Sequence, residues 1–150
     1  MADTEAHGRR LAARLRPGDL VVLTGPLGAG KTALTRGLGA GLGVRGSVTS
    51  PTFVLARRHR GPVPLLHVDA YRLRDAGTDA LEDLDLDAAL EDGVVVVEWG
   101  EGVVEGVADA RLEVLLDRAP VPVERATQSD SPRTARVRAV GDRWRVARTD

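Results

Sequence analysis

The sequence predicts an α/β fold: a mostly parallel central sheet with helices on both faces and an antiparallel C-terminal hairpin. Short apolar runs alternate with helix-length segments through residues 1–98, a pattern typical of parallel strands that are buried on both faces. Two short segments joined by a Gly-Asp turn follow near the C-terminus, as expected for an antiparallel pair. Because 150 residues is a one-domain length, we expect a single domain over residues 1–150.

The first half of the chain predicts two helices and three strands. Leu11, Ala12 and Leu15 recur at helical spacing ahead of the turn signal R-P-G-D. Glycines at positions 37, 39 and 41 weaken the second helix. The predicted elements are the helix His7–Leu15, the strand Leu20–Thr24, the helix Lys31–Leu42, the strand Phe53–Ala56 and the strand Leu65–Val68.

The second half of the chain predicts one helix and further strands. Leu73–Glu91 is an acidic helical stretch, and the run V-V-V-V-E-W (Val94–Trp99) is the strongest signal for a buried strand. Leu112–Leu116 alternates like a strand, and a hairpin of Ala135–Val140 with Arg143–Ala147 ends the chain.

Composition excludes several classes of function. The net charge of −1 gives no overall basic character for non-specific binding to nucleic acid. Aromatic residues make up only 3% of the chain, so no stacking platform for RNA bases is predicted. The absence of cysteine excludes disulfides and thiolate metal sites. No apolar run reaches the roughly 18 residues of a membrane span. The start M-A-D-T-E-A-H-G does not have the pattern of a signal peptide, so we expect a cytoplasmic protein.

One lysine stands out against twenty arginines. Lys31 is the only lysine in the chain, and it lies in T-G-P-L-G-A-G-K-T. Gly25-x-x-x-x-Gly30-Lys31-Thr32 matches the complete P-loop pattern, between an apolar strand and a helix as the motif requires. Glycines at 28 and 30 permit backbone geometries in which successive N–H groups surround a phosphate. The expected phosphate-binding residues are Gly25, Pro26, Leu27, Gly28, Ala29, Gly30, Lys31, Thr32 and Ala33.

The chemistry of the motif explains why lysine is kept there. Lys31 supplies a compact charge on a flexible stem that reaches between the β- and γ-phosphates of ATP, whereas the planar arginine fork is too wide. The helix that begins at the loop directs its N-terminal dipole toward the same anion. Thr32 offers a hydroxyl to Mg²⁺. We therefore expect ATP and Mg²⁺ as cofactors.

Two carboxylates are candidates for the acidic group that a P-loop protein needs for Mg²⁺ or its water. Asp69 ends L-L-H-V-D and Glu98 ends V-V-V-V-E, so both emerge at the carboxyl edge of the sheet, the usual ligand side. The sequence leaves open which of them contacts the metal. His67 precedes Asp69 by two residues on the same strand face, and it is either a partner of these groups or an ordinary core histidine.

Together these motifs resemble one family. G-P-L-G-A-G-K-T, S-P-T-F, H-V-D-A-Y-R-L and V-V-V-V-E-W-G-E occur in the order and spacing of the TsaE family, from about Thr4 to Glu101. The resemblance implies an ATPase required for threonylcarbamoyladenosine (t6A) modification of tRNA. It also implies partners, homologues of TsaB and TsaD. TsaD transfers the threonylcarbamoyl group to adenosine 37 of ANN-decoding tRNA, and ATP hydrolysis by TsaE supports turnover, so this chain would meet tRNA only through the complex.

The resemblance also implies roles for individual residues. Thr32 and Glu98 would contact the metal, and Asp69 would be needed for hydrolysis. Thr52, in the S-P-T-F loop, would face the nucleotide, and Arg133 would correspond to a nucleotide-contacting arginine.

Two other functions fit the P-loop without the resemblance. A small-molecule kinase would need an acceptor pocket and an arginine-bearing lid, for which the candidates are Arg57, Arg58 and Arg60. A binding module whose nucleotide state controls partner docking would show negligible turnover. Stimulation of hydrolysis by partners favours the ATPase, whereas phosphorylation of an acceptor favours the kinase.

Overall fold

The computed structural model describes residues 2–25, 30–46, 48, 56–70, 85–98, 110–118, 133–141 and 144. Its helices are α1 (Ala2–Ala12), α2 (Lys31–Leu42) and α3 (Leu86–Asp92). Its strands are β1 (Leu20–Thr24), β2 (Ala56–His59), β3 (Leu65–Asp69), β4 (Val94–Glu98), β5 (Arg111–Arg118) and β6 (Arg133–Val140).

The strands form one six-stranded mixed sheet in the order β2-β3-β4-β1-β5-β6. The four central strands are parallel: β3 pairs with β4, β4 with β1, and β1 with β5. The outer strands β2 and β6 pair antiparallel with β3 and β5. The predicted fold class is therefore confirmed, including its antiparallel C-terminal pair.

Helices cover both faces of the sheet because the strand side chains alternate. Val21 and Leu23 of β1 belong to a core cluster that includes the buried leucines of α1 and α2. Leu20 and Val22 point to the other face, where they pack in a second cluster with α3. All four side chains are at most 3% exposed. The continuous apolar run of β1 thus reflects burial on both sides.

Helices α1 and α2 cross so closely that glycine is required at the contact. A Cβ at Gly37 would overlap the carbonyl oxygen of Glu5, and one at Gly8 would overlap that of Leu34. A Cβ at Gly41 would overlap the side chain of Ala12. The glycines that weaken α2 by propensity therefore allow its backbone to approach α1.

Some element boundaries differ from the sequence predictions. Helix α1 begins at Ala2 rather than His7 and ends at Ala12, where Leu15 donates its N–H to Ala12 O in a turn. Strand β2 begins at Ala56, at the end of the predicted strand, and residues 53–55 lie outside the described residues.

The other differences lie in the second half of the chain. Of the predicted acidic helix, residues 73–84 lie outside the described part. Helix α3 begins after Asp85, a left-handed N-cap (φ 48°) whose side chain accepts from Ala88 N. Strand β6 pairs antiparallel with β5, whereas the sequence predicted a hairpin of this strand with residues 143–147. Of those five residues only Trp144 is described, and it lies in a turn with its side chain 2% exposed.

We expect Gly37→Ala to destabilise the protein. Alanine in a helix interior is normally more stable than glycine by about 0.5–1 kcal/mol, but here its methyl group would push α1 away from α2. The free energy of unfolding should fall by about 1–3 kcal/mol in urea denaturation. Ala40→Gln, on the exposed face of α2, should change it by less than about 0.5 kcal/mol. Stabilisation by Gly37→Ala would contradict the close helix crossing.

Candidate nucleotide and metal site

The carboxyl ends of three adjacent parallel strands meet at one edge of the sheet. In the strand register Leu23 lies opposite Glu98, and Glu98 lies opposite Asp69. Gly25, where the glycine-rich loop begins, follows β1 directly. The two predicted carboxylates are therefore on neighbouring strands, beside the strand that leads into the loop.

The loop ends at Gly30, which is also the N-cap of α2. Gly30 has φ 106° and ψ 18°, in the left-handed region that favours glycine. Its carbonyl accepts the N–H of Leu34 at 2.9 Å. Among the residues that the structure describes, no side chain caps this helix end, and no acidic residue lies in the first turn. The first N–H groups of the helix and its dipole are thus available to an anion.

Lys31 is buried at the centre of this edge. Its side chain is 7% exposed, and Nζ donates to the carbonyl oxygen of Gly25 at 2.6 Å. Burial lowers the pKa of Lys31 below its usual range, while the charges of Glu98 and Asp69 partly offset this by raising it. A buried ammonium beside two carboxylates forms a compact charged cluster at the mouth of the loop.

The two carboxylates differ in burial. Glu98 is 5% exposed, and its Oε1 has no hydrogen-bond partner among the described residues. Asp69 is half-buried. His67 is completely buried, and its Nε2 lies 3.5 Å from Glu98 Oε1. Both carboxylates can supply oxygen to a cation, and the arrangement does not favour one of them by position alone.

These residues fit Mg²⁺ bound together with a nucleotide. In the described ranges no group of three or more His, Cys, Asp or Glu side chains could hold a metal. Mg²⁺ is usually held by one or two carboxylates together with substrate phosphates and water, rather than by an all-protein cage. The unpartnered oxygen of Glu98, the half-buried Asp69 and the half-buried Thr32 match that pattern.

The remaining predicted site residues are placed only in part. Pro26, Leu27, Gly28, Ala29 and Thr52 lie outside the described residues. Ala33 is buried in the first turn of α2. The backbone of Arg133 begins β6 opposite Arg118, so it is at the same edge of the sheet but two strands from β1.

A second buried histidine lies on the edge strand β2. His59 of β2 is 8% exposed. Burial lowers its pKa, and the neighbouring His67 and Arg57 lower it further. The segment R-R-H-R that contains His59 gives no apolar pattern, so the sequence does not indicate this burial. The structure places His59 opposite Leu65 of β3.

The fold and the loop define the class of protein: an α/β protein with a glycine-rich loop between a central strand and the following helix. In the described part of the chain, no helix is both long and apolar enough to cross a membrane.

Comparison with known proteins defines the family. The model of the family described as "Threonylcarbamoyl adenosine biosynthesis protein TsaE" matches residues 1–126. A Streptomyces coelicolor protein named tRNA threonylcarbamoyladenosine biosynthesis protein TsaE is 58% identical over 144 residues, 93% of each chain. A Bacillus subtilis protein of the same name is 37% identical over 146 residues, 96% of this chain and 84% of that one. The crystal structure of Bacillus subtilis YdiB superposes with a TM-score of 0.73 at 32% identity, covering 97% of this chain and 84% of that chain. This chain belongs to the TsaE family.

The two left-handed ends of α2 provide a matched pair of substitutions. Gly30 and Gly43 have φ of 106° and 79°, and alanine in this region costs roughly 1–2 kcal/mol. Gly30→Ala and Gly43→Ala should therefore lower the free energy of unfolding by similar amounts. Only Gly30→Ala should also weaken ATP binding, measured by calorimetry. Equal ATP affinity in the two variants would contradict the assignment of the loop.

Proposed function

We propose that this chain is a Mg²⁺-dependent ATPase of tRNA threonylcarbamoyladenosine biosynthesis that acts with TsaB and TsaD homologues. The observation that supports this most strongly is the cluster at the sheet edge, where Lys31 is buried between the loop carbonyl of Gly25 and the carboxylates of Glu98 and Asp69. An arrangement of a buried cation, a helix N-terminus and two acids suits a polyphosphate with its metal.

In the proposed reaction the protein positions groups rather than forming covalent bonds. Lys31 would leave its contact with Gly25 O to bind the β- and γ-phosphates. Thr32 and one carboxylate, which we assign to Glu98, would hold Mg²⁺. Mg²⁺ would neutralise negative charge on the phosphate oxygens. Asp69, half-buried beside Glu98, would orient the attacking water.

The partners are proposed from the family and from the names of the relatives. The Streptomyces coelicolor and Bacillus subtilis proteins are both named for tRNA threonylcarbamoyladenosine biosynthesis. We propose that this chain supports that modification by ATP hydrolysis and contacts tRNA only through its complex with the TsaB and TsaD homologues. A role in tRNA modification also supports a cytoplasmic location.

ATP hydrolysis by the purified chain, alone and with the TsaB–TsaD pair from the same source, tests this proposal. We expect the pair to raise the rate. Lys31→Ala should abolish both rates and lower ATP affinity by roughly 100-fold, because it removes the charge opposite the phosphates. A wild-type rate indifferent to the pair would contradict the partnership, and unchanged ATP affinity in Lys31→Ala would contradict the nucleotide site.

Glu98→Gln tests the metal assignment. The substitution keeps the side-chain shape and removes the charge, so we expect a folded protein whose Mg²⁺-dependent turnover falls by roughly 100-fold. Asp69→Asn serves as the matched variant on the neighbouring strand and should still respond to added Mg²⁺. Full activity of Glu98→Gln, with a lost Mg²⁺ response in Asp69→Asn, would move the metal role to Asp69.

A further inference from the structure

A fully buried imidazole lies directly behind the carboxylate that we assign to Mg²⁺. His67 is 0% exposed, and neither ring nitrogen has a hydrogen-bond partner among the described residues. Its Nε2 is 3.5 Å from Glu98 Oε1, which likewise has no partner in the described part of the chain. The two unpartnered polar atoms therefore face each other.

The sheet register explains why they meet. His67 lies opposite Val96, and Asp69 lies opposite Glu98. Because alternate residues of a strand share a face, Glu98 is the next residue of β4 after Val96 on the face that carries His67. Three of the buried positions around His67 on this face are apolar, namely Leu65, Val94 and Val96, and the buried His59 lies on the same face opposite Leu65. An imidazole there costs stability unless it finds a partner, since burying an unpaired polar group is unfavourable.

The distance is slightly longer than a hydrogen bond. N–H···O bonds in proteins have donor–acceptor distances of about 2.7–3.2 Å, so a small side-chain rotation would close the contact of 3.5 Å. Histidine Nε2–H is a donor and a carboxylate oxygen an acceptor, which makes the pair chemically complementary. Hydrogen bonds of this kind orient carboxylates that bind metals.

We propose that His67 is a positioning residue for Glu98: its Nε2–H donates to Oε1 and thereby turns the second carboxylate oxygen toward Mg²⁺. This inference rests on the proposed function, because it assumes that Glu98 contacts the metal. His67 therefore increases the affinity for the metal and does not contribute to the affinity for the nucleotide itself.

His59 provides a matched control. It is also a buried histidine, 8% exposed, but it lies on β2 opposite Leu65, with β3 between it and β4. Strands two positions apart in a sheet are separated by roughly 9–10 Å, so His59 is beyond hydrogen-bond reach of Glu98. Removing its imidazole disturbs the same core without touching the carboxylate.

The test measures the affinity of the protein for Mn²⁺, a paramagnetic substitute for Mg²⁺, by electron paramagnetic resonance in the presence of saturating ATP. ATP affinity is measured separately by calorimetry in a chelator, without divalent ions. We expect His67→Leu to weaken Mn²⁺ binding by about 10- to 100-fold and to leave the metal-free ATP affinity unchanged. His59→Leu should leave both affinities unchanged.

Two polar variants keep the test informative if His67→Leu does not fold. The amide nitrogen of His67→Gln reaches close to the position of Nε2, whereas that of His67→Asn reaches close to Nδ1. We expect His67→Gln to restore most of the Mn²⁺ affinity and His67→Asn to restore little.

Three results would overturn the inference. Mn²⁺ affinity at the wild-type level in His67→Leu, or in His67→Asn, would remove the role of the donor. An equal loss of Mn²⁺ affinity in His67→Leu and His59→Leu would show that the affinity depends on core packing in general and not on the imidazole of His67. If the wild-type protein binds ATP and Mn²⁺, any of these three results overturns this inference alone. If the wild-type protein binds neither, the proposed function and the inference are overturned together.

Discussion

The parallel register of β3, β4 and β1 is the constraint on which the site depends. Because these strands run in the same direction and end at the same level, Asp69, Glu98 and the start of the glycine-rich loop lie side by side. The continuous valine run of β4 fixes that register through burial on both faces. A slip of one residue would turn Glu98 away from Lys31 and toward the face covered by α3.

The site concentrates polar groups where the rest of the sheet is apolar. Lys31, His67 and Glu98 are each at most 7% exposed, and buried charges are costly unless they are paired and hydrogen-bonded. The lowered pKa of Lys31 reflects that cost, which the two carboxylates only partly offset. Buried charged and polar groups of this kind are expected at a site for charged ligands. There they lower the free energy of unfolding but serve ligand binding.

Much of the fold and the site followed from local sequence patterns. Apolar runs located β1, β3 and β4 to within a residue, since strands buried on both faces leave an uninterrupted signal. The P-loop pattern gave Lys31 its place at the start of α2. What local patterns did not give depends on contacts distant in sequence: the pairing of β6 with β5, the burial of His59, and the role of Gly37 in the helix crossing. Propensity alone marked that glycine as a weakness.

The most direct measurement is the anomalous scattering of Mn²⁺ in crystals grown with Mn²⁺ and a non-hydrolysable ATP analogue. We predict the phosphates over the N-terminus of α2 beside Lys31, with a Mn²⁺ peak between the Thr32 hydroxyl and the Glu98 carboxylate. A peak in contact with Glu98 would support the arrangement in full. Nucleotide bound elsewhere, or a metal peak distant from both carboxylates, would contradict the claim that these three strand ends form the catalytic site.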